Sequence, residues 1–187
     1  PYSCVSFLHP GLDALIGLVR DEDLKPEDIE SLAMRFPRSG VHCIDDNPLR
    51  SHSAQYILPV AVVDREVKTG VFFKDRRLTD PALAELSGRV TVIPDDGELE
   101  ELFPDFYATI IEVATRDGRS FTRRNDVARG YPESPMSEED LVAKFTALAS
   151  SVAPPDRVDA LLACIAGLPE ASSLATYADL LGRPAGT

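Results

Sequence analysis

The stretch Asn47-Pro-Leu-Arg50-Ser-His52-Ser-Ala-Gln55-Tyr56 places a guanidinium, an imidazole, an amide and a phenol within seven residues, just ahead of an apolar run. A planar guanidinium can clamp a carboxylate through two parallel N–H bonds, and an imidazole or a phenol beside it can give or take a proton. A phenol ordinarily titrates near pH ~10, so at neutral pH it acts as a donor rather than a base. The set therefore suits acid–base work on a small carboxylate, with Arg50 clamping the anion and Tyr56 or His52 moving the proton. The same residues also fit a polar loop that tethers the start of a helix, with Tyr56 merely half-buried. His9 is a further candidate. At a helix start a protonated ring meets the positive end of the dipole, so the neutral imidazole is favoured. It reads as a substrate contact or as a side chain bonded to backbone.

Other chemistries are absent from the pattern. There is no Gly-x-Gly-x-x-Gly, no phosphate-binding Gly-x-x-x-x-Gly-Lys-Ser/Thr and no Gly-x-Ser-x-Gly. The histidines stand at 9, 42 and 52, never at ligand spacing on one helix, so neither a metal nor an organic cofactor is expected. The three cysteines, Cys4, Cys43 and Cys164, are odd in number and form no Cys-x-x-Cys, which fits reduced thiols in a cytoplasmic protein. With 19 Lys plus Arg against 31 Asp plus Glu, the net charge of −12 repels phosphate backbones and argues against nucleic acid. No apolar run approaches the roughly 20 residues that span a bilayer, so no membrane partner is expected. The 187 residues, 44% hydrophobic and 27% charged, suit a globular chain that can bury roughly 70% of its unfolded surface. The opening Pro1-Tyr-Ser-Cys-Val-Ser-Phe-Leu has neither an initiator Met nor a signal sequence and reads as the interior of a strand or loop, so a fragment of something longer is expected.

The elements that must position these residues follow from periodicity. His9 to Val19 carries apolar residues at helical spacing, and Ile29 to Phe36 alternates, with Leu32, Met34 and Phe36 inward. Ser53 to Val63 is uncharged and fits a buried helix, with Pro59 near a bend. Asp80-Pro81 caps a short helix, and Arg89 to Ile93 is a short strand. Tyr107 to Thr115 and Ser120 to Arg124 flank Asp117-Gly118, which predicts a tight hairpin with both central residues at positive φ. Ser137-Glu-Glu-Asp140 opens a helix in the manner of a capping box, and stripes through Phe145 and Leu148, then Leu161 and Leu162, continue to a last helix near 174–181. No β-α-β rhythm is evident. The order predicts an α+β fold, a small antiparallel sheet with helices on one side over residues 1–135, followed by helices over 136–187. Acidic runs, Arg76-Arg77 and Arg123-Arg124 are expected on the surface.

Several of these segments, in order, resemble the MmgE/PrpD family. They are Pro1-Tyr-Ser-Cys…His9-Pro, Asp28-Ile-Glu, Asn47-Pro…Arg50-Ser-His52-Ser-Ala-Gln-Tyr56, Thr79-Asp-Pro-Ala-Leu, the Asp117-Gly118 hairpin and Gly130-Tyr-Pro-Glu-Ser-Pro…Phe145. That family includes 2-methylcitrate dehydratases, cis-aconitate decarboxylases and iminodisuccinate epimerases. The resemblance implies the family's C-terminal portion, a lid-type α+β domain followed by helices that return to a large N-terminal helical domain missing here. It implies a cofactor-free hydro-lyase acting on a small polycarboxylate, most like 2-methylcitrate dehydratase, in a cytoplasmic homodimer. Gln55-Tyr56 matches the pair found in the dehydratase and decarboxylase branches, which makes Tyr56 and His52 the catalytic candidates and Arg50, His9 and Gln55 the binding ones. A Lys usual in the family would precede Pro1, and a position often Cys or His falls on Val5. The chain alone is therefore expected to be inactive, and the apolar stripes of 137–181 are expected to lack part of their partner. The alternatives are a decarboxylase or epimerase of the family, or a non-catalytic acidic interaction domain derived from its fold.

Overall fold

A computed structural model describes residues 1–67 and 80–182, which separate into two units, Pro1–Pro135 and Met136–Thr187. The Arg76-Arg77 pair and Thr79 lie outside the described residues.

In the first unit, α1 (His9–Asp21) begins with Pro10, whose fixed φ and missing N–H suit a first helical turn. Its apolar face, Leu12, Leu15 and Val19, is wholly buried. Gly11 allows the close approach to the sheet, because a Cβ there would stand 3.2 Å from both Met34 and Thr109 side chains. Strand β1 (Ile29–Pro37) alternates as expected, with Leu32, Met34 and Phe36 at zero exposure. A short α2 (Arg38–Val41) ends it.

Helix α3 (Ala54–Asp64) is buried along Ile57 to Val62 on all sides, and Pro59 sits inside it. An interior proline removes one helical hydrogen bond and costs about 3 kcal/mol. Burial of the flanking Ile57, Leu58, Val60 and Ala61, each at zero exposure, offsets that cost. Asp80 caps α4 (Pro81–Ser87) by accepting from the Ala82 N–H at 3.0 Å.

The sheet is completed by β2 (Val90–Asp95), β3 (Thr109–Thr115) and β4 (Ser120–Asn125), in the order β2-β1-β3-β4, with a short α5 (Glu98–Glu101) after β2. The α+β class is as expected, but the sheet is mixed rather than wholly antiparallel. β1 and β2 run parallel, Met34 opposite Val92, while β3 and β4 are antiparallel neighbours. The segment between β1 and β2 carries α3 and α4, long enough to return the chain to the starting end of β1.

The hairpin also differs from expectation. Only Gly118 has positive φ, at 85°, and Asp117 does not. The Gly118 N–H donates to the Thr115 carbonyl, and the Thr115 N–H to Arg119. This is a turn followed by a left-handed glycine rather than a two-residue connection.

The second unit contains α6 (Glu138–Ala149), α7 (Pro155–Ala166) and α8 (Ala175–Gly182). Ser137 caps α6 by accepting from the Asp140 N–H at 3.0 Å. Arg157 on α7 donates to the Leu180 carbonyl near the end of α8. Val158 and Leu161 are buried, while Leu141, Val142, Leu148, Val152, Leu174 and Leu181 are exposed. No helix among the described residues is long and apolar enough to cross a membrane.

Candidate functional site

The segment from Cys43 to Tyr56 is folded by its own polar groups. The Asn47 amide donates to the Cys43 carbonyl and accepts from the Leu49 N–H, both at 2.9 Å. Arg50–His52 forms a single 3-10 turn, closed by His52 N–H to the Leu49 carbonyl at 2.7 Å. The Ala54 N–H then donates to the Ile44 carbonyl at 2.8 Å, which seats the start of α3 on the loop.

These bonds put Arg50 and Tyr56 together. The guanidinium carbon lies 5.5 Å from the centroid of the phenol ring, within the range of a cation–π contact. Arg50, Gln55 and Tyr56 line a pocket of about 120 Å³, closed on the other side by Asp80, Leu83 and Ser87 at and along α4. That volume is well below the roughly 300–1,000 Å³ of complete ligand sites.

The remaining candidates are placed differently. Gln55 is occupied by the loop: its amide oxygen accepts from the Asp46 N–H at 2.9 Å and its nitrogen donates to Asp45 at 2.7 Å. His52 sits in the same 3-10 turn, with Nδ1 3.0 Å from the Ser51 hydroxyl. His9 is not among the residues that line the pocket; it belongs to α1, with Nε2 3.2 Å from the Cys4 carbonyl and its ring edge-on to Tyr2, centroids 5.4 Å apart. The expected bond from His9 to backbone is therefore present, though it reaches back along the chain rather than capping the helix.

The N-terminal segment nevertheless adjoins the site, because the Val5 N–H donates to the Ser51 carbonyl at 2.9 Å. Burial pushes the Cys4 thiol up to about 12. Burial also raises Tyr2 well above the usual phenol range, reinforced by its bond to Asp13 and opposed in part by Arg129. Both groups thus stay protonated at neutral pH. Among the described residues no three His, Cys, Asp or Glu side chains converge in the manner of metal ligands.

Fold and cluster together define an α+β domain that offers a cation and a phenol at one small pocket, with the Gln55 amide engaged by the loop beside them. The sequence profile of the MmgE/PrpD C-terminal domain matches residues 2–168, and the chain belongs to that family. It is similar to the cis-aconitate decarboxylase of Homo sapiens, 28% identical over 175 residues, which covers 89% of this chain and 35% of the relative. The mouse (Mus musculus) cis-aconitate decarboxylase is 28% identical over 162 residues, covering 86% and 31%. The chain spans about a third of the length of these curated relatives.

The α4 wall was not recognisable as part of the pocket from spacing. Asp80 reads as a helix cap, and it is one. Its neighbourhood to Tyr56 arises only from the packing of α4 on α3. A second polar group, Asp13 with Tyr2 and Arg129, also escaped the pattern. The one signal available was that Asp13 follows His9 by four residues, which places both on one helical face.

Proposed function

We propose that this chain supplies one wall of the active site of a lyase acting on a small polycarboxylate, with elimination of water in the manner of a 2-methylcitrate dehydratase. The observation that carries the reading is the Arg50–Tyr56 pair at the mouth of a pocket too small to be complete. Removal of water from a β-hydroxy acid needs a base for the Cα proton, an acid for the departing hydroxyl and cations for the carboxylates. In this reading Arg50 holds a carboxylate, Tyr56 protonates the leaving hydroxyl, and His52 stands in the adjoining turn as a proton carrier. The exposed leucines and valines of α6 to α8 are the surface that would meet the helical domain of a longer protein.

The names of the two relatives favour a second reading, loss of CO₂ from cis-aconitate. There the carbon–carbon bond breaks, its electron pair stays on the substrate carbon, and that carbon takes a proton. Tyr56 as donor serves this step as well.

The test is Tyr56→Phe in a longer chain that also carries an N-terminal helical domain, assayed on 2-methylcitrate and on cis-aconitate. The substitution keeps the ring and removes only the hydroxyl. Turnover should fall by about 10²- to 10⁴-fold with little change in KM. Arg50→Lys keeps the charge but loses the fork, and should mainly raise KM. Appearance of an alkene without CO₂ identifies the dehydratase, and CO₂ release the decarboxylase. Turnover unchanged by Tyr56→Phe returns the cluster to a tethered loop.

A further inference from the structure

The Asp13 carboxylate stands where three distant segments meet. Oδ1 accepts from the Tyr2 hydroxyl at 2.6 Å, and Oδ2 accepts from the backbone N–H of Arg129 at 3.0 Å. The Arg129 Nε lies 3.8 Å from Oδ1, and the Asp13 side chain keeps only 18% of its exposure. The Tyr2 ring is in turn edge-on to His9, with the Arg129 guanidinium 6.0 Å from its centroid. The segment leading to Arg129 is held to α1 too, since Asn125 donates to the Pro10 carbonyl at 3.3 Å. Three residues past Tyr2, Val5 donates to Ser51 in the Arg50–His52 turn.

We propose that Asp13 is a positioning residue: it latches Tyr2–Val5 and the loop around Arg129 onto α1, and so holds Val5 against the Arg50–His52 turn. The catalytic significance rests on the reading of the site given above, but the latch does not. A carboxylate only accepts, and here both oxygens face donors. In Asp13→Asn the charge is lost: the amide oxygen can still accept from the Arg129 N–H, but the NH₂ only donates, so the Tyr2 hydroxyl must turn to accept and a charge-assisted bond is replaced by a weaker neutral one. Tyr2→Phe leaves the ring beside His9 and removes only the hydroxyl.

Cys4 reports the latch directly, being half-buried and lying between Tyr2 and Val5 in the chain, and Cys43 in the same unit serves as the internal reference. Purified chain is treated with iodoacetamide, and the modification of each cysteine is followed by peptide mass spectrometry. Hydrogen bonds to charged groups are strong enough that losing one shifts a local opening equilibrium by about tenfold or more. Tyr2→Phe should therefore accelerate Cys4 by about that factor relative to Cys43. Asp13→Asn, which keeps a neutral bond, should accelerate it less but in the same direction, and the double variant should add little to Tyr2→Phe, because both act on one bond. Cys4 rates unchanged in both single variants overturn the latch. Equal acceleration of Cys4 and Cys43 also overturns it, since that reports a loosened unit.

In the longer protein, Asp13→Asn should lower kcat more than it raises KM. If Tyr56→Phe abolishes turnover while Asp13→Asn leaves it intact with Cys4 opened, the positioning role falls and the site stands. If Tyr56→Phe has no effect, it is the site reading that falls.

Discussion

The two units differ in how much of their apolar surface they cover. In Pro1–Pro135, helices α1 and α3 and the sheet enclose Leu12, Leu15, Met34, Phe36, Ile57 and Ile111 at zero exposure. In Met136–Thr187, Val158 and Leu161 are the buried large side chains among the described residues, and six of the seven exposed large hydrophobics belong to this unit. Helices α6 to α8 leave a groove of about 370 Å³, lined by Phe145, Val152, Leu161 and Tyr177 among others. The difference is one of scale. A stretch of about fifty residues has too little interior to cover three apolar stripes, whereas a mixed sheet with two packed helices does. The expectation for the last helices is met unevenly: Leu148 is exposed, Phe145 and Leu162 are half-covered, and Leu161 is buried.

The sharpest way to break this contrast is to cut into each interior. Phe36→Ala removes a ring that contacts Phe7 and has zero exposure, and should cost about 3–5 kcal/mol in denaturant unfolding of the first unit. Leu161→Ala should cost about 2 kcal/mol, the low end for such a truncation, and only in the transition assigned to α6 to α8. Amide hydrogen exchange should show the same order, with α6 and α8 exchanging ahead of β1 and β3. Loss of protection throughout both units on Leu161→Ala would show that they unfold as one.

A smaller effect concerns acid. Burial acts to raise the Asp95 carboxyl, but the N–H groups of Gly97 and Leu99 at 2.9 and 3.2 Å, with Arg35 at 3.3 Å, hold it below the usual carboxylate range. A folded-state pKa below the unfolded one contributes stability that is full above the ordinary carboxylate value of about 4 and is lost as pH falls through the folded value. Asp95→Asn keeps an oxygen for the two N–H groups but loses the charge that strengthens them and pairs with Arg35, so it should cost up to about 1 kcal/mol at neutral pH and should flatten the acid limb of the first unit's stability. The least effect is expected at Leu148→Gln, within about 0.5 kcal/mol, because Leu148 is 38% exposed. A larger loss there, seen in thermal melts of the chain, would mean that this face is covered in solution.

Short-range signals account for what could be read without coordinates. The Asp80-Pro81 start of α4, the Ser137 cap of α6 and the alternation of β1 each depend on residues within four positions, and each forms as expected. The hairpin shows where such signals stop. Asp-Gly is compatible with more than one turn, and the choice is made across the strands. Ala114 pairs with Ser120, and the buried Thr115 hydroxyl donates to the Arg119 carbonyl, so the connection is longer than two residues. The parallel pairing of β2 beside β1 was invisible for a related reason: a six-residue strand carries no mark of its neighbour's direction.

The candidate site divides along the same line. Arg50, His52, Gln55 and Tyr56 could be gathered from the sequence because one 3-10 turn and the first turn of α3 bring them together locally. Helix periodicity likewise determined that α1 buries an apolar face and that α3 carries an uncharged, apolar run from Ile57 to Val63. Only the tertiary structure decided that Gln55 is spent on Asp45 and Asp46, that α4 closes the pocket, and that His9 turns toward Tyr2 and Cys4. It also decided the meeting of Tyr2, Asp13 and Arg129, residues up to 127 positions apart in number. The physical reason is that periodicity encodes which face of an element is apolar, whereas the partner each polar group finds depends on which elements pack against it, a choice settled by burial over the whole core.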